Sequence, residues 1–132
     1  MPDTITHKIL IVDDDLISIK LLERPLRSNG YHVESATEAA IGLQMAVDNQ
    51  PDLIILDVMM PIINGYNFCR LLKSQDTVRD IPIIILTSRD KKEDREIGIE
   101  MGADVYLTKP VRIDELLTNV KQQLVKEQSQ ND

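Results

Sequence analysis

Four stretches of the chain end in side chains that could act together on one charged group. Asp13, Asp14 and Asp15 follow the apolar run Ile9–Val12, and Asp57 follows Leu53–Leu56. Thr87 and Ser88 follow Ile83–Leu86, and Thr108, Lys109 and Pro110 follow Val105–Leu107. Carboxylates brought into one pocket repel each other unless a cation or a proton joins them. A hard divalent ion is the economical answer, because Mg2+ takes one or two carboxylates, keeps waters and accepts phosphate oxygens. Lys109 adds a mobile point charge suited to a phosphoryl oxygen, and the Thr87 hydroxyl can donate to another. Carboxylates accept phosphoryl groups in covalent chemistry. Phosphoryl transfer asks mainly for positioning and charge neutralisation. The set therefore predicts a Mg2+-assisted phosphoryl site around one aspartate.

Taken singly, these residues are not distinctive. Asp13–Asp15 reads equally well as a turn and helix-cap cluster. Asp57 alone reads as a cap, Thr87 as a cap or core hydroxyl, and Lys109 as a solvated charge. What changes the reading is that four separate strand ends supply matched chemistry.

The elements that must position them follow from the same runs. Ile9–Val12, Leu53–Leu56 and Ile83–Leu86 are uniformly apolar, as strands buried on both faces are. His32–Ala36 alternates polar and apolar side chains like an edge strand, and Val105–Leu107 is bounded by Gly102 and Pro110. Helical patterns lie between. The first runs from Leu16 to about Arg27, with Pro25 predicting an early stop or a bend. The second is N-capped by Thr37 and turns Ala39, Leu43, Ala46 and Val47 inward. The third starts near Asn64–Gly65 and buries Phe68, Leu71 and Leu72. A weakly patterned fourth, about Lys91–Met101, is interrupted by Gly98 and followed by Gly102. The fifth, about Ile113–Val125, buries Ile113, Leu116, Leu117, Val120 and Leu124. Lys126–Asp132 reads as a frayed polar tail. This βαβαβαβαβα order implies an α/β fold, a five-stranded parallel doubly wound sheet with five helices. Ligands of such sheets bind beyond the carboxyl ends of the strands, where all four stretches lie.

Composition narrows the function. The 132 residues include 15 basic and 22 acidic side chains, a net charge of −7. That suits one domain, 1–132, with a core over about 7–125. A chain 42% hydrophobic and 28% charged is not intrinsically disordered. Its acidity argues against direct nucleic-acid binding, which needs clustered cations. Cys69 is the one cysteine, so no internal disulfide or Cys-based zinc site is expected. A free thiol suits a reducing cytoplasm, the expected location. Met1–His7, with Pro2, Asp3 and Thr4, lacks a secretory pattern, and no apolar run is long enough to cross a bilayer. His7 near the start and His32 on an edge strand are not read as ligands, and Cys69 reads as a packing thiol.

The ordered set resembles a response-regulator receiver domain, the module of two-component signalling and of the chemotaxis response regulator. The residues that carry the resemblance are Ile9-Leu10-Ile11-Val12-Asp13-Asp14, Asp57-Val58-Met59-Met60-Pro61 with Gly65, Leu86-Thr87-Ser88, and Gly102-Ala103-Asp104 with Tyr106 and Lys109-Pro110. The match covers roughly residues 7–125. Each motif is weak alone, and the ordered set is highly specific. The resemblance implies a flavodoxin-like sheet with strand order 2-1-3-4-5. It also implies that Asp57 accepts a phosphoryl group from a histidine kinase or a histidine phosphotransfer protein. Asp14 would ligate Mg2+ beside Asp57, with the Met59 carbonyl as a third ligand and Asp13 acting through water. Thr87 and Lys109 would each hold a phosphoryl oxygen, and a cis Lys109–Pro110 bond would aim the lysine inward. Asp15 reads as the cap of the first helix.

In that family the Thr87 hydroxyl is coupled to the aromatic at Tyr106, whose ring turns inward on phosphorylation. The readout surface is the face of the fourth helix, fifth strand and fifth helix, through which a downstream partner or a second copy would bind. Without the resemblance, Tyr106 reads as a half-buried ring with a wet hydroxyl. Met59 cannot orient an attacking water, which predicts slow self-hydrolysis. Arg89 either reaches an incoming donor or lies solvated.

Three other functions were weighed. An aspartyl-phosphate hydrolase would place a second carboxylate where Met59 stands. A flavin module would need a phosphate cradle where Asp13–Asp15 repel phosphate. An unmodified interaction domain would not need the full Asp14, Asp57, Thr87 and Lys109 set. The expected activity is enzymatic only in a limited sense, phosphorylation and dephosphorylation of its own aspartate. No second domain follows the fifth helix in this sequence, which fits either a stand-alone regulator or a piece of a larger protein.

Overall fold

In the computed structural model, residues 6–60 and 64–130 are described. Pro61, Pro2, Asp3 and Thr4, and the last two residues of the expected tail, lie outside the described residues. The elements run β1 (Lys8–Val12), α1 (Leu16–Ser28), β2 (His32–Ala36), α2 (Ala39–Asn49), β3 (Leu53–Leu56), α3 (Gly65–Lys73), β4 (Ile83–Thr87), α4 (Lys92–Glu100), β5 (Val105–Thr108) and α5 (Ile113–Gln130). All strands pair in parallel, in the order β2-β1-β3-β4-β5. The edge strand expected at His32–Ala36 is β2, at one end of the sheet.

Alternation along each strand divides the core into two. Leu10, Val12, Ile54, Leu56, Ile83 and Ile85 face one layer with Ala46, Phe68, Cys69 and Leu72. Ile9, Ile11, Leu53, Ile55, Ile84 and Leu86 face the other, with Ile19, Leu22, Leu26, Leu116, Val120 and Leu124. Burial of each such side chain contributes about 1.5–3 kcal/mol, so a one-residue slip of a strand would exchange the two layers at a large cost.

Several local expectations are corrected by this packing. α1 continues through Pro25 to Ser28 rather than stopping at the proline. The carbonyl that loses its donor belongs to Leu21, an exposed residue, on a side of the helix where a lost bond costs little. Thr37 does not cap α2: the N-cap is Glu38, with no side-chain bond, and Thr37 lies one residue too early. Leu71 is 37% exposed, while Phe68, Cys69 and Leu72 form the buried stripe of α3. Ile113 is likewise largely exposed at the start of α5. That helix runs to Gln130, so most of the expected tail is helical.

The expected cap of the first helix holds. Asp15 caps α1, its Oδ1 accepting from Ile17 N–H at 3.0 Å. Asp104 pins the start of β4 beside β5, accepting from Ile83 N–H at 2.9 Å while its own N–H donates to the Ile83 carbonyl. Among the described residues, no helix is long and apolar enough to cross a membrane.

Candidate functional site

The sheet changes direction at β1, with β2 on one side and β3 on the other, so the crevice opens between the carboxyl ends of β1 and β3. Backbone bonds continue past the strands and set the site residues in place. Asp13 N–H donates to the Ala36 carbonyl at 3.1 Å, Asp57 N–H to Val12 at 3.0 Å, and Lys109 N–H to Thr87 at 2.7 Å. The loop after Asp57 is pressed onto α3. Gly65 N–H donates to the Val58 carbonyl, and a Cβ on Gly65 would run into the Val58 Cα. Only glycine allows that approach.

Three of the expected residues meet directly. Lys109 Nζ donates to Asp13 Oδ2 at 2.8 Å and to Asp57 Oδ2 at 2.9 Å. Both carboxylates are buried and the lysine side chain is 24% exposed. The other Asp57 oxygen, Oδ1, accepts from Met59 N–H at 2.9 Å, and Asp13 Oδ1 accepts from Asp15 N–H at 2.9 Å. Burial raises the Asp13 pKa above its ordinary 3.8, against the lowering effect of its bonds to Lys109 and Asp15. For Lys109, burial works downward, but the bonds to Asp13 and Asp57 outweigh it and raise the pKa above 10.5. The two directions agree physically: the lysine is stabilised as a cation, while Asp13 lies deeper than its partner. The Lys109–Pro110 bond is cis, as the resemblance implied.

Asp14 is exposed at the mouth, next to Asp13. Thr87 is fully buried at the end of β4; its Oγ1 accepts from Arg89 N–H at 3.4 Å and is not joined to Asp57 or Lys109. Arg89 lies exposed to solvent, as one of its two readings had it, with its guanidinium paired to Asp94 at 3.4 Å. Tyr106 departs from the half-buried reading. It is 3% exposed, and its hydroxyl donates to the Arg89 carbonyl at 2.9 Å. Cys69 is buried, with its thiol pushed up to about 12 by desolvation, so it is an inert packing group.

Two contacts were not anticipated. Ser18 Oγ accepts from Lys109 Nζ at 3.2 Å and donates to Asp15 Oδ2 at 3.1 Å. Its place three residues after the Asp15 cap was the available signal. Ser88 Oγ donates to Met59 Sδ at 3.1 Å, joining the ends of β4 and β3 across the mouth. The adjacency of Ser88 to Thr87 gave no hint of it.

The donors at this end suit a hard divalent cation. They are oxygens, and the crevice already draws a positive charge between Asp13 and Asp57 in the form of the Lys109 ammonium. Among the described residues, no three His, Cys, Asp or Glu side chains form a ready-made ligand cage. Mg2+ uses one or two carboxylates and keeps waters, and Asp57 with the neighbouring Asp14 would be the carboxylates to hold it.

The chain is similar to known proteins. The family model described as the response regulator receiver domain matches residues 9–121. The response regulator MprA of Mycobacterium sp. (strain KMS) is 44% identical over 114 residues, covering 86% of this chain and 49% of that protein. The chain therefore spans about half the length of this curated relative. The chemotaxis response regulator CheY4 of Vibrio cholerae superposes with a TM-score of 0.84 at 30% identity, covering 90% of this chain and 99% of that one. The receiver domain of the sensor histidine kinase PA1611 of Pseudomonas aeruginosa PAO1, which holds a magnesium ion in its active-site cleft, does so with a TM-score of 0.84 at 30% identity, covering 91% and 98%. With the predicted strand order, the crevice chemistry and these likenesses in agreement, the chain belongs to the response regulator receiver domain family.

Proposed function

We propose that this receiver domain, with its core over residues 7–125 and its place in the cytoplasm, is a phosphorylation-controlled switch whose acceptor is Asp57. The observation that carries the reading is the Lys109 ammonium bonded to both Asp13 and Asp57 in a buried crevice. A donor phosphohistidine, on a histidine kinase or a phosphotransfer protein, approaches the mouth between β1 and β3. An Asp57 carboxylate oxygen forms a bond to phosphorus as the phosphorus–nitrogen bond breaks. The imidazole leaves with the electron pair and takes a proton.

Each residue has a defined task. Met59 N–H holds Asp57 Oδ1 and so orients the nucleophile. Lys109 neutralises charge on the transferred group. Asp14, Asp57 and the Met59 carbonyl would hold Mg2+, with Asp13 acting through water. When bound, the ion supplies charge neutralisation for the phosphoryl oxygens. Thr87 Oγ exchanges the long Arg89 contact for a phosphoryl oxygen. That shift biases a two-arrangement loop and changes the face of α4, β5 and α5 that a downstream protein or a second copy binds. The domain turns over its own aspartate and no external substrate.

Treatment with acetyl phosphate and Mg2+, followed by intact-mass measurement, tests this. The wild type should gain one phosphoryl group and Asp57→Asn none. Absence of any gain in the wild type would overturn the reading, and steady turnover of added phosphomonoesters would favour a hydrolase instead.

A further inference from the structure

The corner beside the acceptor site is held by a tyrosine that the phosphorylation chemistry does not use. Tyr66, in the first turn of α3, donates its hydroxyl to the Asp94 carbonyl in α4 at 3.2 Å. The Asp94 carboxylate grips the Arg89 guanidinium at 3.4 Å. The Arg89 backbone is gripped at both ends, its carbonyl by the Tyr106 hydroxyl at 2.9 Å and its N–H by Thr87 Oγ1 at 3.4 Å. From the other side, Arg95 sets its guanidinium 5.4 Å from the centre of the Tyr106 ring and donates to the Tyr106 carbonyl at 3.3 Å. Gly98 makes the seat: a Cβ there would stand 2.8 Å from Tyr106 Cδ2 and 2.9 Å from Ile85 Cδ1.

We propose that Tyr66 is a positioning residue of the switch, a strap from α3 that holds the Ser88–Lys91 connection closed over the inward ring of Tyr106. The proposal rests on the phosphorylation reading above, which supplies the event the loop reports. Its physical basis is that two aromatic hydroxyls, on α3 and on β5, bind carbonyls five residues apart in one segment, while the Arg89–Asp94 pair braces that segment internally. The segment cannot lift without breaking bonds to both rings. The Thr87–Arg89 contact is at the long limit of hydrogen-bond distance, so Thr87 can change partner while the strap stays in place. The unmodified chain therefore already keeps Tyr106 inward, and the Tyr66 hydroxyl sets how firmly.

The test uses the full chain in wild-type, Tyr66→Phe, Tyr106→Phe and doubly substituted forms. Amide hydrogen exchange is followed over residues 88–95, and 3-fluorotyrosine resonances are read with a soluble paramagnet. Loss of the Tyr66 hydroxyl should quicken exchange over 88–95 by roughly 3–10-fold, the worth of one hydrogen bond, and expose the Tyr106 resonance to the paramagnet. Exchange in β1 should not change, and adding Tyr66→Phe to Tyr106→Phe should have little further effect. Unchanged exchange in Tyr66→Phe, uniformly faster exchange across the chain, or strictly additive effects would each overturn the strap. The same samples are treated with acetyl phosphate and Mg2+ and weighed. Failure of the wild type to gain a phosphoryl group would sink the switch reading itself, whereas normal gain with an unaffected Tyr106 would sink only the role of Tyr66.

Discussion

The carboxyl end of the sheet has two halves with opposite chemistry. Where β1, β3 and β5 end, buried Asp13 and Asp57 surround the Lys109 ammonium. Where β4 meets α4, buried Thr87 and Tyr106 are neutral and bond to the Arg89 backbone. Charge-assisted bonds are roughly twice as strong as neutral ones, and a neutral bond adds only about 0.5–1.5 kcal/mol net. New charge on Asp57, as the proposed switch requires, should therefore reorder the ionic half strongly. In the neutral half it needs to displace only a 3.4 Å contact. On the proposed reading, one half takes up the phosphoryl group and the other reports it through geometry.

The sharpest way to break this division is Lys109→Met. Phosphoryl uptake from acetyl phosphate should slow by about 10²-fold, as when a preorganised charge stabiliser is removed, while Tyr106 stays buried by 19F NMR. Exposure of Tyr106 in that variant would mean that the halves are not separate. Next is Asp14→Ala, which should weaken Mg2+ binding by at least about 10-fold. It should also raise metal-free stability through lost carboxylate repulsion; a destabilised apoprotein in urea titration would contradict this.

Gly98→Ala perturbs only the neutral half. Overpacking costs about 1–3 kcal/mol and the gain in helix propensity returns about 1 kcal/mol, so denaturation should show a net loss of about 1 kcal/mol with unchanged phosphoryl uptake. Met59→Asn should shorten the phosphoryl lifetime by roughly 2–10-fold, the worth of one hydrogen bond to an attacking water. An unchanged or longer lifetime would count against it.

The smallest effect is in pH. The folded pKa of Lys109 lies above its ordinary 10.5, so its contribution to stability is complete below 10.5 and is lost as pH rises through the folded value. The urea stability of the wild type relative to Lys109→Met should shrink as pH rises through that alkaline range.

The strands and the cluster of Asp13, Asp57 and Lys109 were legible because their signals are local. Uniform apolar runs mark β1, β3 and β4, alternation marks β2, and Asp13, Asp57 and Lys109 stand just past strand ends. The misreadings have other causes. Thr37 has the right side chain for a cap, but α2 starts at Ala39. Leu71 and Ile113 fit a helical stripe, yet α3 turns Cys69 inward instead of Leu71, and α5 leaves its first residue exposed. Pro25 removes the donor to the carbonyl of Leu21, an exposed residue, and α1 passes through it. For Leu71 and Ile113, packing against the rest of the fold decided which side chains were buried; for Thr37 and Pro25, the exact start of a helix and the tolerance of an exposed turn decided the outcome.

The amino-acid order by itself determined a parallel α/β sheet and the acidic, ammonium and hydroxyl groups at its carboxyl end, because strand periodicity and strand-end chemistry depend on residues close in sequence. Only the tertiary structure decided that Ser18 reaches Lys109, that Tyr106 is buried, and that Gly98 is a seat rather than a flaw in α4. Those facts depend on distances between α1, α4 and β5, which are set by how the layers pack and carry no local mark.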